Sequence, residues 1–168
     1  MWWWLYSILI ATGCGRIGFD AEAGDAIDCT DPNSAQHCYT PFLDETVVWQ
    51  VARTACASLG PTTHLVTING AGENEVVARF AAMVAFNPNE TNTNQRQLLW
   101  VGGTDLGSVG TWRWITGEPF GFMNWRAGEP SNPGVEDCLI VLGAQNGLWD
   151  NRSCEDQGDR YAFLCERE

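Results

Sequence analysis

Six cysteines distributed from Cys29 to Cys165 constrain this chain more than any other feature. None of them stands in a CxxC pair, which argues against structural zinc or thioredoxin-type chemistry. At this density they point to an oxidising compartment. A seventh, Cys14, lies apart, directly after the apolar run MWWWLYSILIATG. That run is too short to cross a bilayer as a helix, so residues 1–14 read as a secretion leader. Residues 15–27, rich in Gly, Ala and Asp, read as a flexible tether, and the folded domain is expected over residues 28–168.

A length of 168 residues suits one domain large enough to bury a core. Nine arginines against twenty-one acids leave a net charge of −12. That balance argues against nucleic acid and against an anionic membrane surface, and favours cations or neutral polar ligands. The junction Ala11-Thr12-Gly13-Cys14 resembles a bacterial lipobox. By that resemblance Cys14 is the lipidation site, the only membrane contact is its acyl anchor, and the domain sits on the outer membrane or cell surface. An ordinary signal peptide would export it as a secreted protein.

Cys29 and Cys38 flank the turn signal Asp31-Pro32-Asn33, so the domain is expected to open with a small disulfide-closed hairpin. Trp49, Ala52, Cys56 and Leu59 recur at one helix face, with Asp44 or Thr46 as N-cap and Gly60-Pro61 as the stop. His64 to Ile68 reads as a strand. Glu73 to Phe86 reads as a second helix with Val76, Phe80, Met83 and Val84 inward, ended by Asn87-Pro88. LLWVGG is a buried strand whose paired glycines signal close backbone approach, and Trp112 to Ile115 alternates as a half-buried strand. A long loop then runs from Gly117 to Glu136, the kind of segment that tends to carry function. Three short strands follow, at Cys138–Leu142, Leu148–Cys154 and Tyr161–Cys165. Helices first and strands later make this an α+β arrangement.

The carboxylates of Glu129, Glu136 and Asp150 lie on this loop and the strands after it, among prolines and cysteines. Like charges held close together repel, and a divalent ion taking hard oxygen ligands turns that repulsion into binding, so Ca2+ is the first cation to consider. Three carboxylates can hold it in the loose extracellular range, roughly 0.1–1 mM. Nine of the twenty-one acids fall between residues 129 and 168, so simple solvated loop charge is the competing explanation. Trp112, Trp114, Trp125 and Trp149 are expected to pack rather than to stack on a ligand. His37 and His64 are far from each other and from any cysteine pair, and carry no metal or catalytic expectation. No Ser-His-Asp set, Walker loop, HExxH or zinc tetrad occurs, so catalysis is not expected; a glycosidase is the enzyme alternative.

WQVARTAC, SLGPTTHLVTI, LLWVGG, WRWITGEPFGFMNWRAGEP, EDC, GLWDNRSC and YAFLC, in that order, resemble the signatures of a C-type lectin-like domain of the long form. The resemblance covers about Cys29 to Glu168. It implies two helices packed on short antiparallel sheets, a long structured loop, and the disulfides Cys56–Cys165, Cys138–Cys154 and Cys29–Cys38. Six cysteines by themselves allow fifteen connectivities. It implies a calcium site of Glu129, Ser131, Glu136, Asp150 and Asn151, and carbohydrate contacts from the same side chains, because two sugar hydroxyls complete the ion's shell. A cis Glu129-Pro130 bond would aim the flanking side chains at one ion. Glu129 leans toward mannose-type hydroxyl geometry. Ser131 stands where the family carries an amide or carboxylate, and Asp150-Asn151 inverts the family's order. The alternative function is calcium-independent protein binding through the same loop face. A second calcium site would match Asp105, Asn132, Glu136 and Asp137, with Val109 where another carboxylate is expected. Glu118-Pro119 reads as a turn. The sequons at Asn89 and Asn151 matter only in a eukaryotic secretory pathway, where a glycan on Asn151 would block the loop site.

Overall fold

The computed structural model describes residues 37–84 and 97–168. The leader with Cys14, the tether, Cys29, Asn89 and the Asn87-Pro88 stop lie outside them. β1 (Cys38–Val47) leads into α1 (Trp49–Ser58), β2 (Thr63–Leu65) and α2 (Ala71–Met83). β3 (Leu98–Thr104), β4 (Arg113–Trp114), β5 (Cys138–Leu142), a short 3-10 turn at Gly143–Gln145, β6 (Leu148–Arg152) and β7 (Tyr161–Arg167) follow. One sheet runs β1-β7-β3-β5-β6, with β2 also on β7 and β4 on β3.

Alternation along the central strands gives the sheet two buried faces. Leu99, Val101, Leu139, Val141, Ala162 and Leu164 join Val77, Phe80 and Ala81 of α2 on one face. Leu98, Trp100, Ile140, Leu142 and Phe163 join Trp49, Ala52 and Cys56 of α1 on the other. Burial on both sides is why LLWVGG and CLIVL read as unbroken apolar runs. The paired glycines are where the backbones press together: a Cβ on Gly102 would lie 2.8 Å from the Leu65 carbonyl oxygen, and one on Gly103 2.8 Å from Leu139 Cδ1. Cys56–Cys165 ties α1 to β7, and Cys138–Cys154 ties β5 to the segment after β6, as the resemblance implied. Cys38 is also disulfide-bonded. No helix among the described residues is long and apolar enough to cross a membrane.

Several local expectations are corrected. Pro41, Asp44 and Glu45 obscure a strand, yet Cys38 to Phe42 pair with Arg167 to Phe163 of β7, and Phe42 stacks on Phe163 at 4.5 Å. Proline is tolerated here because β1 is an edge strand. Asp44 and Thr46 therefore belong to β1 and cap nothing; Val48 takes the N-cap position of α1 without a side-chain bond, and Leu59 is exposed. The inward face of α2 is Asn74, Val77, Phe80 and Ala81, with Met83 exposed and Val76 and Val84 packed at its margin. Gly143 permits the close approach to that face, since a Cβ there would lie 2.4 Å from the Ala81 and Ala82 backbone. The pairing is not wholly antiparallel, because β7 inserts beside β3 in parallel, Leu99 opposite Ala162 and Trp100 opposite Phe163.

Candidate functional site

Aromatic packing anchors the long loop before its polar part begins. Trp149 on β6 is fully buried and meets Trp114, Phe120, Phe122 and Trp125 at centroid distances of 5.7, 5.9, 5.6 and 5.7 Å, mostly edge to face. The tryptophans thus pack, as expected. The Trp149 backbone extends this anchoring: its N–H donates to the Asn124 carbonyl at 2.8 Å and its carbonyl accepts from the Arg126 N–H at 2.8 Å. Beyond Arg126 the Glu129-Pro130 bond is cis, and Asn132 adopts a left-handed φ of 47° that turns the chain back toward β5.

Successive residues of a strand face opposite ways, and this separates Asp150 from Asn151. Asn151 is the clasp of the loop. Its Oδ1 accepts from the Ser131 N–H at 3.0 Å, and its Nδ2 donates to the Ser131 carbonyl at 2.7 Å and to the Glu136 carbonyl. The Ser131 hydroxyl donates to Glu136 Oε2 at 3.3 Å. Asn151 is buried with both ends of its amide engaged, so its sequon is closed to a glycan in the folded domain.

Asp150, fully buried, faces two arginines that the sequence reading did not single out. Arg126 Nη2 lies 2.9 Å from Asp150 Oδ2 and 2.8 Å from Glu129 Oε1; Arg152 Nη1 lies 2.9 Å from Asp150 Oδ1 and donates to the Asn151 carbonyl at 2.6 Å. Burial pushes the Glu129 carboxyl up, but hydrogen bonds from Arg126 and Ser131 and the charges of Arg126 and Arg152 hold it below the usual carboxylate range. Burial would lower the Arg152 guanidinium, and the Asp150 charge raises it instead. The one available signal was adjacency, Arg126 three residues before Glu129 and Arg152 beside Asp150 and Asn151. No local pattern links Arg126 to Asp150.

All five expected ligands therefore share one neighbourhood, yet the arrangement is not a preformed calcium cage. Glu129, Glu136 and Asp150 do not bring three carboxylate oxygens within 4.8 Å of one another. Guanidinium groups engage Glu129 Oε1, both Asp150 oxygens and the Asn151 carbonyl, while Asn151 Oδ1 takes the Ser131 N–H. Glu129 Oε2 remains buried with no hydrogen-bond partner, and Asp150 Oδ2, which makes no hydrogen bond, has the Arg126 charge at 2.9 Å. The donors have the hard-oxygen chemistry of a calcium site, but their geometry does not fit the ion while Arg126 stays between them.

The second expected site is drawn together only in part. Asp105 is buried, with Oδ2 accepting from the Gly110 N–H at 2.7 Å and Oδ1 unpartnered. Burial, and then the Asp105 charge, push the neighbouring Asp137 carboxyl up. Glu136 is bonded to Ser131 instead, and Val109 is exposed. Glu118 closes a turn, accepting from Thr67 Oγ1 at 3.0 Å and Thr116 Oγ1 at 2.9 Å.

The pattern that defines the Lectin C-type domain matches residues 45–167. This chain belongs to the C-type lectin domain family. The family is a non-enzymatic class. The domain is 28% identical over 117 residues to C-type mannose receptor 2 of Mus musculus, a match that covers 70% of this chain and 7% of the receptor. It is 30% identical over 146 residues to a lectin of Megabalanus rosa, covering 83% of this chain and 80% of that protein. Among solved structures, the human scavenger receptor C-type lectin carbohydrate-recognition domain is 29% identical with a TM-score of 0.62, over 81% of this chain and 94% of that one. The chain thus spans a small fraction of the mannose receptor and most of the other two.

Proposed function

We propose that this C-type lectin domain binds carbohydrate on the face formed by the cis Glu129-Pro130 loop and β6, with Arg126 and Arg152 supplying the positive charge that the sequence reading assigned to calcium. One observation carries this reading: Arg126 bridges Glu129 and Asp150 at 2.8 and 2.9 Å. Buried carboxylates need a cation, and a guanidinium held by the chain meets that need with several directed donors. The Glu129 and Glu136 carboxylates beside arginine N–H groups offer the alternating acceptors and donors that sugar hydroxyls require. Kinship to a lectin and to a mannose receptor supports a sugar as ligand, and Glu129 leans toward a mannose-type one.

A second reading, calcium-dependent carbohydrate binding, is favoured by Glu129 Oε2, a buried carboxylate oxygen with no hydrogen-bond partner. In it Glu129, Ser131, Glu136, Asp150 and Asn151 hold Ca2+ after Arg126 swings away, and the ion offers open positions to two sugar hydroxyls. A protein ligand on the same face, without calcium, is the outcome that remains if no sugar binds. Export through the leader, with lipidation at Cys14, belongs to the same proposal; the disulfides, which form in oxidising compartments, support the export.

A glycan array probed with and without chelator tests all of this. Chelator-insensitive binding supports the arginine reading. Signals that vanish with chelator support calcium. No retained glycan under either condition refutes carbohydrate recognition.

A further inference from the structure

At the opposite margin of the sheet, β1 begins and β7 ends side by side, and the chain brings together three groups far apart in sequence. His37 Nδ1 lies 2.5 Å from Glu166 Oε1 and 4.0 Å from Glu168 Oε1. All three donor atoms fall within 4.8 Å of one another, the one such His, Cys, Asp and Glu group among the described residues. We propose that His37, Glu166 and Glu168 form a binding site for a divalent transition metal, with zinc the ion the donor set fits. The inference is independent of the loop site and of what binds there.

The geometry sits close to what zinc requires. Four ligands at ~2.1 Å from a tetrahedral ion stand about 3.4 Å from each other. The 2.5 Å pair must open and the 4.0 Å pair must close, each by less than about 1 Å. Burial divides the roles. Glu166 is 1% exposed and held in place by the Thr67 N–H, which donates to its Oε2 at 3.1 Å, so it is the fixed ligand. His37 and Glu168, 43% and 38% exposed, have the freedom to make those shifts and leave an open path for the ion and its bound water. Imidazole nitrogen and carboxylate oxygen are both zinc donors, and three protein ligands with the fourth position open is the arrangement of an accessible zinc site. Calcium and magnesium take oxygen ligands, and an imidazole selects against them.

A divalent ion would take the neutral imidazole of His37 and the ionised carboxylates of Glu166 and Glu168 as ligands, and would clasp the start of β1 to the end of β7.

The test is calorimetric titration of the exported, disulfide-intact protein with Zn2+ after stripping by chelator, with Ca2+ and Mg2+ titrated separately. One equivalent of zinc should bind. His37→Ala and Glu168→Gln should each weaken it at least about tenfold, while Glu155→Gln, at an exposed position, leaves it unchanged. Melting curves without metal serve as the fold control for each variant. No zinc uptake at millimolar concentration would overturn the proposal, as would wild-type affinity in His37→Ala or loss of binding in Glu155→Gln.

Discussion

Replacing Arg126 by glutamine removes the cation shared by Glu129 and Asp150. Asp150 keeps Arg152 at 2.9 Å, whereas Glu129, whose side chain is 9% exposed, loses the guanidinium beside it. Taking one partner from a buried ion pair costs about 3–5 kcal/mol. Arg126 is itself 28% exposed, so water can enter its place and the expected loss falls to about 2–3 kcal/mol. For a domain of this size that lowers Tm by on the order of 5–10 °C. The same change leaves Glu129 without its cation and Asp150 with one in place of two, so calcium should stabilise the variant more than the wild type, by about 1.4 kcal/mol when free calcium is tenfold above its Kd. Urea unfolding with and without millimolar calcium measures both effects, and adding Glu129→Gln should recover part of the loss. The reasoning fails if Arg126→Gln unfolds within about 0.5 kcal/mol of wild type and calcium shifts the two proteins equally.

Asn151→Ala deletes three bonds to the loop and should cost about 2–4 kcal/mol, with glycan binding lost while the sheet's circular dichroism persists. Gly143→Ala drives a methyl to within 2.4 Å of the α2 backbone, so unfolding should come about 1–3 kcal/mol earlier in denaturant; an unchanged midpoint would mean that α2 and the 3-10 turn separate freely. Converting Cys56 and Cys165 together to alanine opens a loop of 109 residues and should remove roughly 4–5 kcal/mol by chain entropy, read as a fall in urea midpoint. Burial would raise the Glu118 carboxyl, but hydrogen bonds from Asn69, Thr116 and Thr67 hold it below 4.5. A depressed folded value means that its stabilisation is full above pH 4.5 and is lost as pH falls through that lower value. Glu118→Gln should therefore flatten the acid arm of the stability curve, and an identical slope in the variant would contradict the assignment.

Where local pattern decided the structure, it was legible in advance. Trp49, Ala52 and Cys56 share a helix face because 3.6-residue periodicity needs no knowledge of the partner. LLWVGG and CLIVL announce doubly buried strands by apolar continuity, and the motif order carried the α+β fold and two of the disulfides. Prediction failed where a distant partner outvoted the local signal. β1 exists because β7 offers it a ladder, despite Pro41 and two acids. The inward face of α2 is rotated by one residue, where Asn74 accepts from Trp149 Nε1 and Ala81 lies against Gly143.

The candidate sites divide along the same line. The motif resemblance read from the sequence implied that Glu129, Ser131, Glu136, Asp150 and Asn151 would gather at the long loop beside a cis Glu129-Pro130 bond. Only the tertiary structure decided that Arg126 stands between two of those carboxylates, and that His37 meets Glu166 across 129 residues of chain. Charge count and periodicity are properties of neighbours along the backbone. Which cation faces which carboxylate depends on how strands distant in sequence are paired and on which of two opposite faces each side chain takes, and no stretch of sequence contains that by itself.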